Sequence, residues 1–70
     1  MVTVDARGLS CPQPVMLAKQ AVDKGQFPID VLVDTVTSRE NVRRMAERFG
    51  LSVHVEPSDD GFKLTLQKRA

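Results

Sequence analysis

The side chain best suited to covalent chemistry in this 70-residue chain is its single cysteine, Cys11, set in the run Cys11-Pro12-Gln13-Pro14 behind the loop Gly8-Leu9-Ser10. Two prolines at this spacing mark a helix start. Pro12 suits the first helical position, where its fixed backbone angle is already helical and its missing donor is one that would lack a partner anyway. Ser10 and Cys11 are the cap candidates; with Cys11 as the cap, Pro14 falls at the third position, and the amides of Gln13 and Val15 are left to meet an anion at the helix end. The helix macrodipole stabilises such an anion by about 0.3–1 kcal/mol when exposed and up to about 2 kcal/mol when partly buried. Cys11 is therefore expected to be a moderately activated nucleophile, better suited to accepting sulfur than to driving strong oxidation. The competing reading is a small buried apolar filler, a common role for cysteine. Its place at an element boundary favours the reactive one.

The surroundings limit what Cys11 can do alone. One cysteine leaves no internal disulfide and no resolving thiol, so thiol chemistry needs a partner molecule. One cysteine and one histidine cannot build a Cys/His zinc site within one chain, and no metal is expected. Arg7, in the loop before Cys11, is a candidate to hold an anionic sulfur or a partner carboxylate. Asp34, at the end of the second strand, is a candidate to orient a donor or touch a partner, although a turn or cap role is the simpler reading. Arg39, Arg43, Arg44 and Arg48 crowd one helix with Glu40 and Glu47. They are a candidate docking face for an acidic partner or RNA, weighed against an ordinary solvated helix face.

The elements that must position these residues follow from periodicity. Val2 and Val4 alternate with Thr3 and Asp5 as in a strand with one buried face, and Gly8 supplies a turn. From Pro12 to Lys24 the apolar Pro14, Leu17, Ala18, Ala21 and Val22 share a helical face, and Gly25 suits the stop. Ile29 to Asp34 alternates as a second strand. Thr37-x-x-Glu40 matches a capping box, and Val42, Met45, Ala46 and Phe49 then follow helical spacing before Gly50. Leu51, Val53 and Val55 alternate with Ser52, His54 and Glu56. Pro57 to Gly61 reads as a turn, and Phe62, Leu64 and Leu66 complete a hairpin.

This predicts a β-α-β-α-β-β order and an α+β two-layer sandwich, a mixed four-stranded sheet with both helices on one face. Residues 1–70 are expected to form one domain. The tail Gln67-Lys68-Arg69-Ala70 is a candidate junction to a longer protein. His54 points to the open face of the sheet, away from Cys11, so no Cys-His dyad is expected. The strands place no aromatic residue outward, which argues against direct binding of single-stranded nucleic acid. Ten basic against nine acidic side chains give a net charge of +1, too balanced to favour nucleic acid or membranes by default. With no leader pattern and no apolar run long enough to span a bilayer, a cytoplasmic location is expected.

The stretch from Asp5 to Lys19, Asp-Ala-Arg-Gly-Leu-Ser-Cys-Pro-Gln-Pro-Val-Met-Leu-Ala-Lys, resembles the signature of the TusA/SirA/YedF family of small sulfur-transfer proteins, and the resemblance extends over the whole chain. It implies a fold like the carboxyl-terminal domain of bacterial translation initiation factor three, with the family's sulfur-bearing cysteine at Cys11. It further implies persulfide sulfur received from a cysteine desulfurase or other donor and passed to a DsrE-like or other thiol acceptor, without metal or cofactor. Gln13 stands where the TusA branch commonly has an acidic residue. Val33 to Val42, with Asp34 followed by Glu40-Asn41-Val42, is closer to the YedF branch, which is associated with sulfur and selenium metabolism. The alternatives carried beside a sulfur carrier are a non-catalytic regulatory or interaction module and a thiol redox protein.

Overall fold

The computed structural model describes residues 2–9, 13–25 and 27–69. Its elements are β1 (Val2–Asp5), α1 (Gln13–Lys24), β2 (Ile29–Val33), α2 (Val36–Arg48), β3 (Leu51–Ser58) and β4 (Gly61–Lys68), in the predicted order. The strands lie in the order β1-β2-β4-β3, with β1 parallel to β2 and β4 antiparallel to both neighbours. The α2 crossover carries β3 beyond the place beside β2, and the returning β4 fills the gap. The mixed sheet predicted from the chain order is thus built around β4 and β2.

Register explains the layering. Val4, Val31, Leu64 and Val55 form one row across all four strands, and Val2, Ile29, Leu66 and Val53 form another. These rows make the inner face, and a slip of one residue would turn a strand's apolar set to water. Ala18 and Ala21 of α1 and Val42, Met45 and Ala46 of α2 are buried against them. Small side chains on α1 allow a close approach to the sheet. The outer face carries Thr3, Asp30, Thr65 and His54 in one row, and Thr65 Oγ1 donates to Asp30 Oδ1 at 3.0 Å. His54 lies exposed beside Glu56, on the face expected for it.

Several boundaries differ from the sequence reading. The second strand ends at Val33, one residue short of Asp34. The second helix is capped by Thr35 and not by a box starting at Thr37. Thr35 is extended, with φ −130° and ψ 155°, and its Oγ1 accepts the Ser38 N–H at 3.0 Å. A cap needs only an oxygen aimed at an amide of the first turn, so the absence of Glu or Gln at Ser38 does not prevent it. Phe49, expected on the buried stripe, is the C-cap and stands 47% exposed. The hairpin is tighter than expected, because Ser58 pairs with Gly61 and leaves Asp59-Asp60 as the turn. At the other end, Gln67 and Lys68 pair with Ser52 and Leu51, so the first half of the basic tail is strand. No described helix is long and apolar enough to cross a membrane.

Candidate functional site

Both parallel strands end at the same side of the sheet, where ligands collect in open α/β layers. The chain leaving β1 makes one more sheet hydrogen bond, from the Ala6 N–H to the Leu32 carbonyl at 2.8 Å, and Ala6 is fully buried. It then turns sharply. The Asp5 carboxylate accepts the Arg7 N–H at 3.1 Å and receives Arg7 Nε and an Arg7 terminal nitrogen, each at 2.9 Å. Gly8 follows at φ +77°, a left-handed conformation that favours glycine. Its N–H donates to Asp34 Oδ2 at 2.7 Å.

A third segment joins from the hairpin. The other Arg7 terminal nitrogen reaches Asp60 Oδ2 at 3.2 Å. Next to Asp60, Gly61 lies so close to the end of β2 that a Cβ there would run into the Val33 carbonyl oxygen and sit 2.6 Å from the Asp34 Cα. Arg7, Asp34 and the Asp59-Asp60 turn therefore brace one another. The Arg7 guanidinium and N–H hold the Asp5 carboxyl down to about 2, and Asp5 in turn raises Arg7. Arg7 is thus an internal tie between two carboxylates as well as a loop cation.

Leu9 packs against the core, and α1 begins at Gln13, with Pro14 fully buried one residue later. Cys11, with its neighbours Ser10 and Pro12, lies outside the described residues, as does the cap geometry expected around it. The residues on either side share one surface. Leu9, Gln13, Met16, Leu17 and Gln20 line a groove of about 270 Å³, mostly apolar, with Met16 54% exposed. In sequence, Cys11 stands midway between Leu9 and Gln13.

The helix arginines fall into two groups. Arg43 bridges Glu40 at 2.6 Å and Glu47 at 3.1 Å, and Arg39 reaches Glu40 at 3.1 Å while lying 4.6 Å from the Phe62 ring centroid. Arg43 first, then Arg39, draws the Glu40 carboxyl below its usual range. Arg44 lies on another side of α2, facing a groove shared with α1. Among the described residues, no group of three His, Cys, Asp or Glu side chains could hold a metal ion.

Sequence reasoning reached Arg7 and Asp34 but not Asp60 or Gly61, which it read only as turn residues. Arg7 and Asp60 are 53 positions apart, and only the sheet order, with β4 beside β2, brings them together. The groove beside Leu9 was also missed, although Leu9 and an outward Met16 flanking the cysteine segment were its available signal.

Comparison with known proteins places this geometry. The family model described as sulfurtransferase TusA matches residues 2–68. Among solved structures, the crystal structure of a SirA-like protein from Desulfitobacterium hafniense aligns with a TM-score of 0.84 at 34% identity, covering 99% of this chain and 100% of that one. No curated protein matches the chain. With the predicted element order and mixed sheet in place and a family match spanning nearly every residue, the chain belongs to the TusA/SirA family of sulfurtransferases.

Proposed function

We propose that this protein is a sulfur carrier in which Cys11 accepts sulfur as a persulfide and relays it to a partner thiol. The observation that carries the reading is the position of the only cysteine, between a loop braced from three segments and the first turn of α1, in a chain of sulfurtransferase kinship. In the loading step the Cys11 thiolate attacks the terminal sulfur of a donor persulfide. A new sulfur–sulfur bond forms on Cys11, the donor's sulfur–sulfur bond breaks, and the donor cysteine leaves as thiolate. Delivery is the same exchange run onto an acceptor thiolate. Neither step changes the overall oxidation level, so neither calls for a metal or redox cofactor.

The amides of the first α1 turn would stabilise both the thiolate and the persulfide anion, with Pro12, Gln13 and Pro14 setting that turn. A cysteine desulfurase or other persulfide donor would supply the sulfur, and a DsrE-like or other thiol protein would receive it. Residues 1–70 are read as one domain of this kind, working in the cytoplasm and closer to the YedF branch through Asp34 and Glu40-Asn41-Val42.

Mass spectrometry after incubation with a cysteine desulfurase and cysteine tests the proposal. The wild type should gain the mass of one sulfur atom, and Cys11→Ala should gain none. Equal gain on both proteins, or none on the wild type, would refute carriage. Retention of partner binding and in-cell function by Cys11→Ala would instead favour a non-catalytic interaction module.

A further inference from the structure

A second groove, of about 490 Å³, runs between the helices and is lined by Val15 and Lys19 of α1, by Asn41, Arg44, Met45 and Arg48 along the second half of α2, and by its C-cap Phe49. Its floor is apolar and its rim is cationic, with no acidic residue in the lining. The charge is distributed unevenly around α2. On one side, Glu40 and Glu47 neutralise Arg39 and Arg43. On the groove side, Arg44 and Arg48 are four positions apart, and neither makes an ion pair among the described residues, while Lys19 pairs with Asp23 at 3.2 Å. Like charges at this helical spacing repel each other. Phe49, 47% exposed, stands at the same end of the groove.

Resting on the sulfur-carrier reading, we propose that this groove is where the sulfur-exchanging partner docks, through an acidic amphipathic segment. Carboxylates on that segment meet Arg44 and Arg48, and an apolar side chain between them packs on Val15, Met45 and Phe49. Charge complementarity selects this occupant, because a segment of opposite sign removes the Arg44–Arg48 repulsion that the free protein carries. The apolar floor favours a protein segment over RNA, whose phosphates would gain nothing from Val15 and Met45. Val15 lies in the first turn of α1, four positions after Cys11, so a segment seated here reaches toward the cysteine segment. The groove thus separates recognition, on α2, from sulfur exchange.

The test uses a fluorescein-labelled amphipathic peptide with one leucine flanked by glutamates, its lysine-for-glutamate counterpart, and a single-stranded RNA of matched length. The glutamate peptide should bind the wild type. Binding should weaken about tenfold in Arg44→Gln/Arg48→Gln, as expected for two exposed charge pairs, and weaken further as salt rises. Phe49→Ser should also weaken it, with the salt dependence retained. Thermal melts confirm that the variants fold. Equal binding of the lysine peptide, unchanged binding by the double variant, or displacement of the peptide by RNA at stoichiometric concentration would overturn the proposal. Loading of Cys11 from small-molecule polysulfide, read by mass, is followed in the same samples and should be unaffected by the two arginine substitutions. Wild-type protein that binds the glutamate peptide but cannot be loaded would refute the carrier reading and leave the groove's specificity standing.

Discussion

Replacing Asp34 by alanine removes the acceptor that holds Gly8 at 2.7 Å and should loosen the loop before Cys11 without touching the core. Both partners are exposed, so the freed Gly8 N–H finds water and no buried, unsatisfied donor is created. The loss is then the net value of one hydrogen bond, about 0.5–1.5 kcal/mol, toward the upper end because the acceptor is charged. For a chain of this size that is a fall in melting temperature of about 4–8 °C per kcal/mol. If the same energy serves to hold the loop in its transfer-competent shape, single-turnover loading of Cys11 should slow by up to about tenfold, since 1.36 kcal/mol corresponds to one decade in rate. A small polysulfide is the right donor for this assay, because it needs no protein docking. Asp34→Asn keeps an acceptor oxygen at the same place and should recover most of both losses. Equal impairment of Asn and Ala variants would show that charge near Arg7, and not the tie to Gly8, is what matters. Unchanged stability and rate in Asp34→Ala would refute the bracing argument altogether.

Two further predictions follow from neighbouring contacts. The Asp5 carboxyl is held down to about 2, from an ordinary 3.8, so it binds its proton less readily in the folded state than in the unfolded state. Its contribution to stability is present above about pH 4 and lost as pH falls toward 2. Asp5→Asn should flatten the acid limb of a stability-against-pH curve in that window, and an unaltered slope would contradict the Arg7 pairing. At the start of α2, Thr35→Ala removes the oxygen that accepts the Ser38 N–H, at a cost of about 1 kcal/mol measured by urea denaturation. Thr37→Ala, inside the helix and exposed, should change stability little, and the reverse ranking would restore the box predicted at Thr37.

Patterns of alternation were enough to read the four strands and their buried faces, but not the order in which they pair. Each strand sets its main apolar face inward, with Leu32 of β2 the apolar exception on the outer face, and the register matches Val4 with Val31, Leu64 and Val55 across the four strands. On α1 the apolar stripe Pro14, Leu17, Ala18, Ala21 and Val22 marks the side that packs on the sheet, where Ala18 and Ala21 are buried. Phe49 was misread because helical spacing does not say where a helix stops; at the C-cap its backbone, with φ −87° and ψ 8°, no longer follows the stripe. The misplaced cap had a similar origin. A box motif at Thr37 looked stronger than a lone threonine at Thr35, yet the chain leaves β2 early enough for Thr35 to meet the first turn.

The candidate site was legible where the chain order alone brings residues together, as with Arg7 in its loop and Asp34 at the end of the neighbouring parallel strand. Asp5, Arg7 and Gly8 form a local turn whose chemistry can be read directly, whereas Asp60 becomes a partner of Arg7 only once β4 inserts beside β2. That insertion has a mechanical consequence. A chain of this size has little core with which to hold a loop, and here the loop is held instead by three backbone segments that meet at the ends of the parallel strands. Gly61 is what lets the third segment come close, since any side chain there would collide with the Val33 carbonyl. A bulkier residue at Gly61 would push the Asp59-Asp60 turn away and release Arg7 from one of its two carboxylates. The hairpin, the element most distant in sequence from Cys11, is therefore part of the apparatus that positions the loop before it.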